Sequence, residues 1–165
     1  MVSRYDEHGA VIGAVPRAVM RAEGLWHAAT LVLVRSPDGE RVYVHRRSAD
    51  KDVFPGLHDC WAGGVVAAGE TPDEGAEREL AEELGITGAP LAKLFDFRYV
   101  APPIRYHAFT YEVCWSGPVV HQPEEVVAGW WMPLTELRER LADPEFGFVP
   151  DGRAAIEKWF AARES

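Results

Sequence analysis

The chain has 165 residues, 47% of them hydrophobic and 26% charged, which suits one domain with a substantial core. Its formal charge of -9 argues against bulk nucleic acid as a partner, because that binding leans on clustered lysine and arginine. No apolar run reaches signal or membrane-span length, and Cys60 and Cys114 have the spacing of neither a disulfide framework nor a zinc site, so a reduced cytoplasm is the expected setting.

Residues 4–14 read as a short hairpin turning at His8-Gly9, and residues 17–23 as a brief helix. Residues 1–24 thus form an N-terminal extension whose exposed strands leave an edge for a homodimer. LWHAATLVLV, residues 25–34, is a β-rich run bounded by the turn Ser36-Pro37-Asp38-Gly39, and RVYVHRR, residues 41–47, alternates as a second strand. An antiparallel hairpin across Asp38-Gly39 is the simplest reading. Residues 60–67 suggest a short strand that delivers Gly63 and Gly64.

The next stretch, GVVAAGETPDEGAERELAEELGI, residues 64–86, organises the rest of the chain. Thr71 is placed to cap a helix, Pro72 suits its first position, and Glu74 completes a capping box. Gly85 stands where a left-handed residue closes the helix. Ala76, Leu80 and Leu84 make a stripe for a core, while Glu79, Glu82 and Glu83 share an adjacent face at i, i+3 and i+4. Three carboxylates this close repel one another unless a cation sits among them, and their oxygens suit hard ions such as Mg²⁺ or Mn²⁺. The bland alternative is a solvated acidic face.

After the helix, residues 91–100 and 104–115 read as two long strands broken at Ala101-Pro102-Pro103. Residues 126–132 supply another strand and residues 133–141 a short helix. Residues 150–162, with Ile156, Trp159 and Phe160 on one side, suggest a closing amphipathic helix. Strands, a helix, more strands and then helices predict an α+β arrangement, a mixed sheet between helical layers.

Glu79 to Glu83 do not stand alone. Gly64, Glu70, Arg78, Glu79, Leu80, Glu82, Glu83, Gly85 and Ile86 spell G-x5-E-x7-R-E-Leu-x-E-E-x-G-Ile, which resembles the Nudix box of the Nudix hydrolases at every position. The element order is similar to the Nudix fold, spread over residues 1–165. Residues 5 to 140, with HRRSADKDVFPGLHDCWAGGVVAAGE at their centre, resemble the isopentenyl diphosphate isomerase-like branch. That branch holds isomerases and hydrolases. The isomerases keep a catalytic cysteine where Gly63 stands here and a metal-binding histidine where Val65 stands. Glycine cannot move a proton to or from carbon, and Cys60 is three residues early, so isomerase chemistry is the lesser alternative.

The resemblance implies a metal-dependent hydrolase that cleaves a nucleoside diphosphate linked to another group, X, in small molecules. It implies Mg²⁺ or Mn²⁺ on Glu79, Glu82 and Glu83, with Gly64 bringing its backbone to the ion, and Glu79 as general base, as ligand, or as both. Arg78 is expected to orient Glu79, and Glu70 to serve as outer ligand or to steady the helix start. Arg46, Arg47 and Lys51 form the densest basic cluster and are placed to hold a diphosphate. Glu124 and Glu125 lie where several such enzymes keep a further acid, although Ala128 is the alternative match. His27 and His107 are lesser metal candidates, and Phe97, Tyr99, Trp130 and Trp131 lesser stacking candidates. A further alternative is a nucleotide-sensing module without turnover.

Overall fold

A computed structural model describes residues 1–164. β1 (Val2–Tyr5) and β2 (Val11–Val15) form an antiparallel pair. The Asp6 carboxylate accepts the backbone N–H groups of His8 and Ala10, 2.9 Å each, and so holds the turn closed. Then follow α1 (Arg17–Glu23), β3 (His27–Arg35), β4 (Arg41–Arg47), β5 (His58–Asp59), β6 (Trp61–Ala62) and α2 (Pro72–Leu84). β7 (Ala92–Ala101), β8 (Ile104–Cys114), β9 (Val126–Pro133), α3 (Leu134–Ala142) and α4 (Pro150–Glu164) complete the order.

The second sheet runs β5-β4-β3-β8-β7, with β6 also on β3 and β9 also on β4. It is mixed because β3 and β8 run parallel along their whole length, from His27↔Tyr106 to Arg35↔Cys114. Alternation along β3 divides the core. Leu31 and Leu33 pack with Leu137, Ile156 and Trp159 of the C-terminal helices, while Val32 and Val34 pack with Ala76, Leu80 and Leu84 of α2. The sheet is therefore covered by α2 on one face and by α3 and α4 on the other, an α+β arrangement.

One expected feature is different. The hairpin across Asp38-Gly39 exists only at its base, where Arg35 pairs with Val42. Beyond it the two strands part. Trp61 and Ala62 pair with Leu33 and Val32, and β4 pairs instead with β9. The run expected as one strand over 60–67 is correspondingly reduced to β6 and isolated bridges at Val65 and Ala67. Opening the hairpin makes the gap in which the Gly63-Gly64 loop lies.

Candidate active site

α2 forms because its ends are satisfied locally. The Thr71 side chain accepts the Glu74 N–H, the Glu74 carboxylate accepts the Thr71 N–H, and Gly85 closes the helix with φ 65°. Burying Ala76, Leu80 and Leu84 fixes its rotation, and this turns Glu79 and Glu83 inward. Glu83 is only 3% exposed. Its Oε1 accepts the Gly63 N–H at 3.0 Å, which ties the helix to the glycine loop.

Arg78 organises the other acids. It donates to both oxygens of Glu70, 2.7 and 2.9 Å, and to Oε1 of Glu79 at 2.9 Å, with a longer contact to Glu82 at 3.3 Å. The Glu70 hydrogen bonds raise the guanidinium pKa further and lower that of Glu70. Glu70 also accepts the Ala67 N–H, so it braces the loop before α2.

Two glycines let the backbone come close. A Cβ on Gly64 would lie 2.7 Å from Oε1 of Glu79, and one on Gly63 would lie 1.8 Å from the Thr30 carbonyl oxygen. The Gly64 carbonyl oxygen accepts the Thr30 N–H at 2.9 Å.

The electrostatics at this point are unusual for glutamate. Burial, with the Glu79 charge adding to it, pushes the Glu83 carboxyl up to about 8. Burial also raises Glu79, against the opposing effect of Arg78. Lys51 and Arg47 act in the opposite sense on Glu83. Among the described residues, no three His, Cys, Asp or Glu side chains converge into a ready cage for a metal. Arg78 draws on both Glu79 and Glu82, and the Glu82 side chain is half exposed. The donor chemistry nevertheless fits a hard divalent cation: hard oxygen donors, buried and mutually repelling, are what such an ion stabilises, with water and substrate oxygens completing its shell.

The basic cluster is divided. Arg46 is exposed and donates to the Gly56 carbonyl, whereas Arg47 and Lys51 line a cleft that passes the glycine loop. Arg47 donates to the Val53 and Phe54 carbonyls, and among the described residues it makes no ion pair with a carboxylate. Lys51 pairs with Glu125, and Glu124 is exposed. Arg17 and Arg21, not foreseen from the sequence, line the same cleft and share Asp52 as an ion-pair partner.

The remaining candidates separate by location. His107 donates to the Asp6 carbonyl and stacks on Trp26, which makes it a brace for the N-terminal hairpin. Trp131 packs edge-on against Tyr43, Phe97 and Tyr99 pack on the α4 side, and Trp130 stands partly exposed edge-on to His58. His27 lines the cleft, with Nδ1 donating to the Leu25 carbonyl. Beside it lie Asp59, Tyr106 and Asp151, which sequence reasoning missed. No local sequence pattern marks them, because they meet only through the tertiary fold.

A NUDIX domain profile matches residues 25–152. The chain belongs to the Nudix family. It is 48% identical to an uncharacterized Nudix hydrolase of Rhodococcus erythropolis, covering 94% of this chain and 89% of the relative. A Nudix hydrolase of Escherichia coli is 36% identical over 96% of this chain and 85% of the relative. Among solved structures, a Deinococcus radiodurans protein superposes with a TM-score of 0.81 at 23% identity, covering 95% of this chain and 97% of that one. A MutT protein from Methanosarcina mazei superposes with a TM-score of 0.70 at 23% identity, covering 85% and 96%. These two likenesses establish the Nudix fold. Among the described residues, no helix is long and apolar enough to cross a membrane.

Proposed function

We propose that the protein is a Nudix pyrophosphohydrolase that cleaves the diphosphate linkage of a nucleoside diphosphate linked to X, or of a related small molecule. The observation that carries this reading is the buried Glu83 beside the half-buried Glu79 against the Gly63-Gly64 loop, Glu83 raised to about 8 and Glu79 raised as well. Two desolvated carboxyls that repel each other suit Mg²⁺ or Mn²⁺. Glu79, Glu83 and Glu82 would hold the ion, with the Gly64 backbone beside Glu79. Bound there, the ion supplies charge neutralisation of the diphosphate and a more acidic water.

Arg78 fixes Glu79 through Oε1, leaving Oε2 to take the proton of the attacking water. Arg47 and Lys51 hold diphosphate oxygens, with Lys51 exchanging Glu125 for phosphate. Water adds to one phosphorus, the bridging P–O bond breaks, and the leaving phosphate departs with the bridging oxygen. The Thr30 carbonyl leaves no room for a side chain at position 63, so the cysteine that the isomerase reading requires has no place here.

The test is a panel of nucleoside di- and triphosphates, sugar nucleotides, dinucleotides and isoprenoid diphosphates with millimolar Mg²⁺ or Mn²⁺, read by phosphate release. At least one is expected to be cleaved in metal and none in chelator. Tight nucleotide binding with no product in either metal refutes the enzymatic reading and favours a sensing module.

A further inference from the structure

Resting on the reading above, the geometry points to the end of the cleft formed by His27, Asp59, Tyr106 and Asp151 as the subsite for X, one that selects groups bearing N–H or O–H donors over apolar groups. The cleft is one space with a cavity volume of about 90 Å³, room for a small substituent rather than for a whole nucleotide. One end passes Gly63 and Gly64, whose backbone touches the Glu79 and Glu83 carboxylates. The other end lies under the start of α4.

The polar atoms at that end are committed in a way that leaves acceptors. His27 is 2% exposed, and its Nδ1–H is spent on the Leu25 carbonyl, so Nε2 presents a lone pair with no protein partner among the described residues. Burial holds the ring neutral by lowering it to about 4. Tyr106 donates its hydroxyl hydrogen to Oδ2 of Asp151 at 2.7 Å, which leaves the phenol oxygen as an acceptor. Asp151 also accepts the Gly152 N–H at Oδ1, 2.9 Å. Asp59, 7% exposed, accepts the Trp61 N–H at Oδ1.

An apolar group placed here would strip water from these acceptors and give nothing back, while a hydroxyl or amine would satisfy them. Arg47 and Lys51 take the phosphate, and the acceptors on His27, Tyr106 and Asp151 take donors, which orients a substrate along the cleft.

Three diphosphate monoesters of nearly equal size test this: 3-aminopropyl, 3-hydroxypropyl and butyl diphosphate. With Mg²⁺, kcat/KM for the first two is expected to exceed that for butyl by about tenfold or more. Asp151→Asn, which puts an N–H₂ donor where an acceptor stood, is expected to reduce the ratio to threefold or less. Equal rates, or preference for butyl, in the wild type overturn the subsite whatever the variant does. If other diphosphates are cleaved but these are not, or if nothing is cleaved, tryptophan fluorescence decides without turnover. Half-saturation by the amino or hydroxy ester at a concentration at least fivefold lower than by butyl supports the subsite, and equal or absent responses overturn it. Failure of hydrolysis with selective binding counts against the proposed activity alone.

Discussion

Two buried carboxyls in this molecule are raised to about the same value, about 8, by the same main cause: Asp59 lines the cleft, and Glu83 accepts the N–H of Gly63, which lines the same cleft. Glu83 sits on a capped helix beside a second glutamate, with Arg78, Arg47 and Lys51 close to the pair. Asp59 sits on a two-residue strand against Gly152, with Asp151 as its nearest charge of consequence and Arg47 the main opposing one. On the proposed reading the first loses its proton when a cation binds. The second stays protonated at neutral pH and acts through hydrogen bonds. Similar proton affinity thus serves different chemistry, and the surrounding charges make the difference.

The largest effect should come at the first end. Glu83→Gln keeps an oxygen for the Gly63 N–H and matches the neutral carboxyl in shape, so metal-free thermal unfolding should barely change. Its turnover is expected to fall by about a hundredfold to a thousandfold. If turnover persists, Glu83 is no more than a buried acid like Asp59.

Gly63→Ala should come next. Its Cβ would meet the Thr30 carbonyl at 1.8 Å, so β3 or the loop must move. A loss of ~3 kcal/mol in denaturant unfolding is expected. A variant as stable as the wild type would mean that the loop is not held against β3.

Arg78→Gln removes the group that orients Glu79 and braces Glu70. Activity or metal affinity should fall by about ten- to a hundredfold.

The smallest expected effect concerns Asp59. Its pKa rises from 3.8 to about 8 on folding. Between those values the folded protein holds a proton that the unfolded chain has released, so stability falls as pH rises through that window and levels off above it. Asp59→Asn cannot titrate. In chelator, with Glu83 common to both proteins, the wild type should lose at least about 1 kcal/mol relative to the variant between pH 5 and 8. Parallel pH profiles would place Asp59 in contact with water and remove the comparison.

The two ends also differ in how far the sequence discloses them. α2 is encoded locally: Thr71, Pro72, Glu74 and Gly85 set its ends, and the spacing of Ala76, Leu80 and Leu84 sets its buried face. The acids at positions 79, 82 and 83 follow from that rotation. What spacing alone misses is that Arg78 would take hold of Glu70, Glu79 and Glu82 together, and so leave no preformed three-carboxylate cage. The far end is assembled from Asp59, Tyr106 and Asp151, residues whose meeting depends on the parallel pairing of β3 with β8 and on where α4 begins. No short-range pattern records such pairings. The same cause explains the hairpin at Asp38-Gly39, where local turn chemistry is right but the partner of β4 is β9.

Calorimetric titration of Mn²⁺ at pH 7, repeated in buffers of different ionisation enthalpy, tests the glutamate pair most directly. Binding is expected with release of close to one proton per ion, because a carboxyl raised to about 8 must ionise to hold a cation, and Glu83→Gln is expected to abolish both the binding and the release. Binding that releases no proton, or that survives Glu83→Gln undiminished, would contradict a metal site at Glu79 and Glu83.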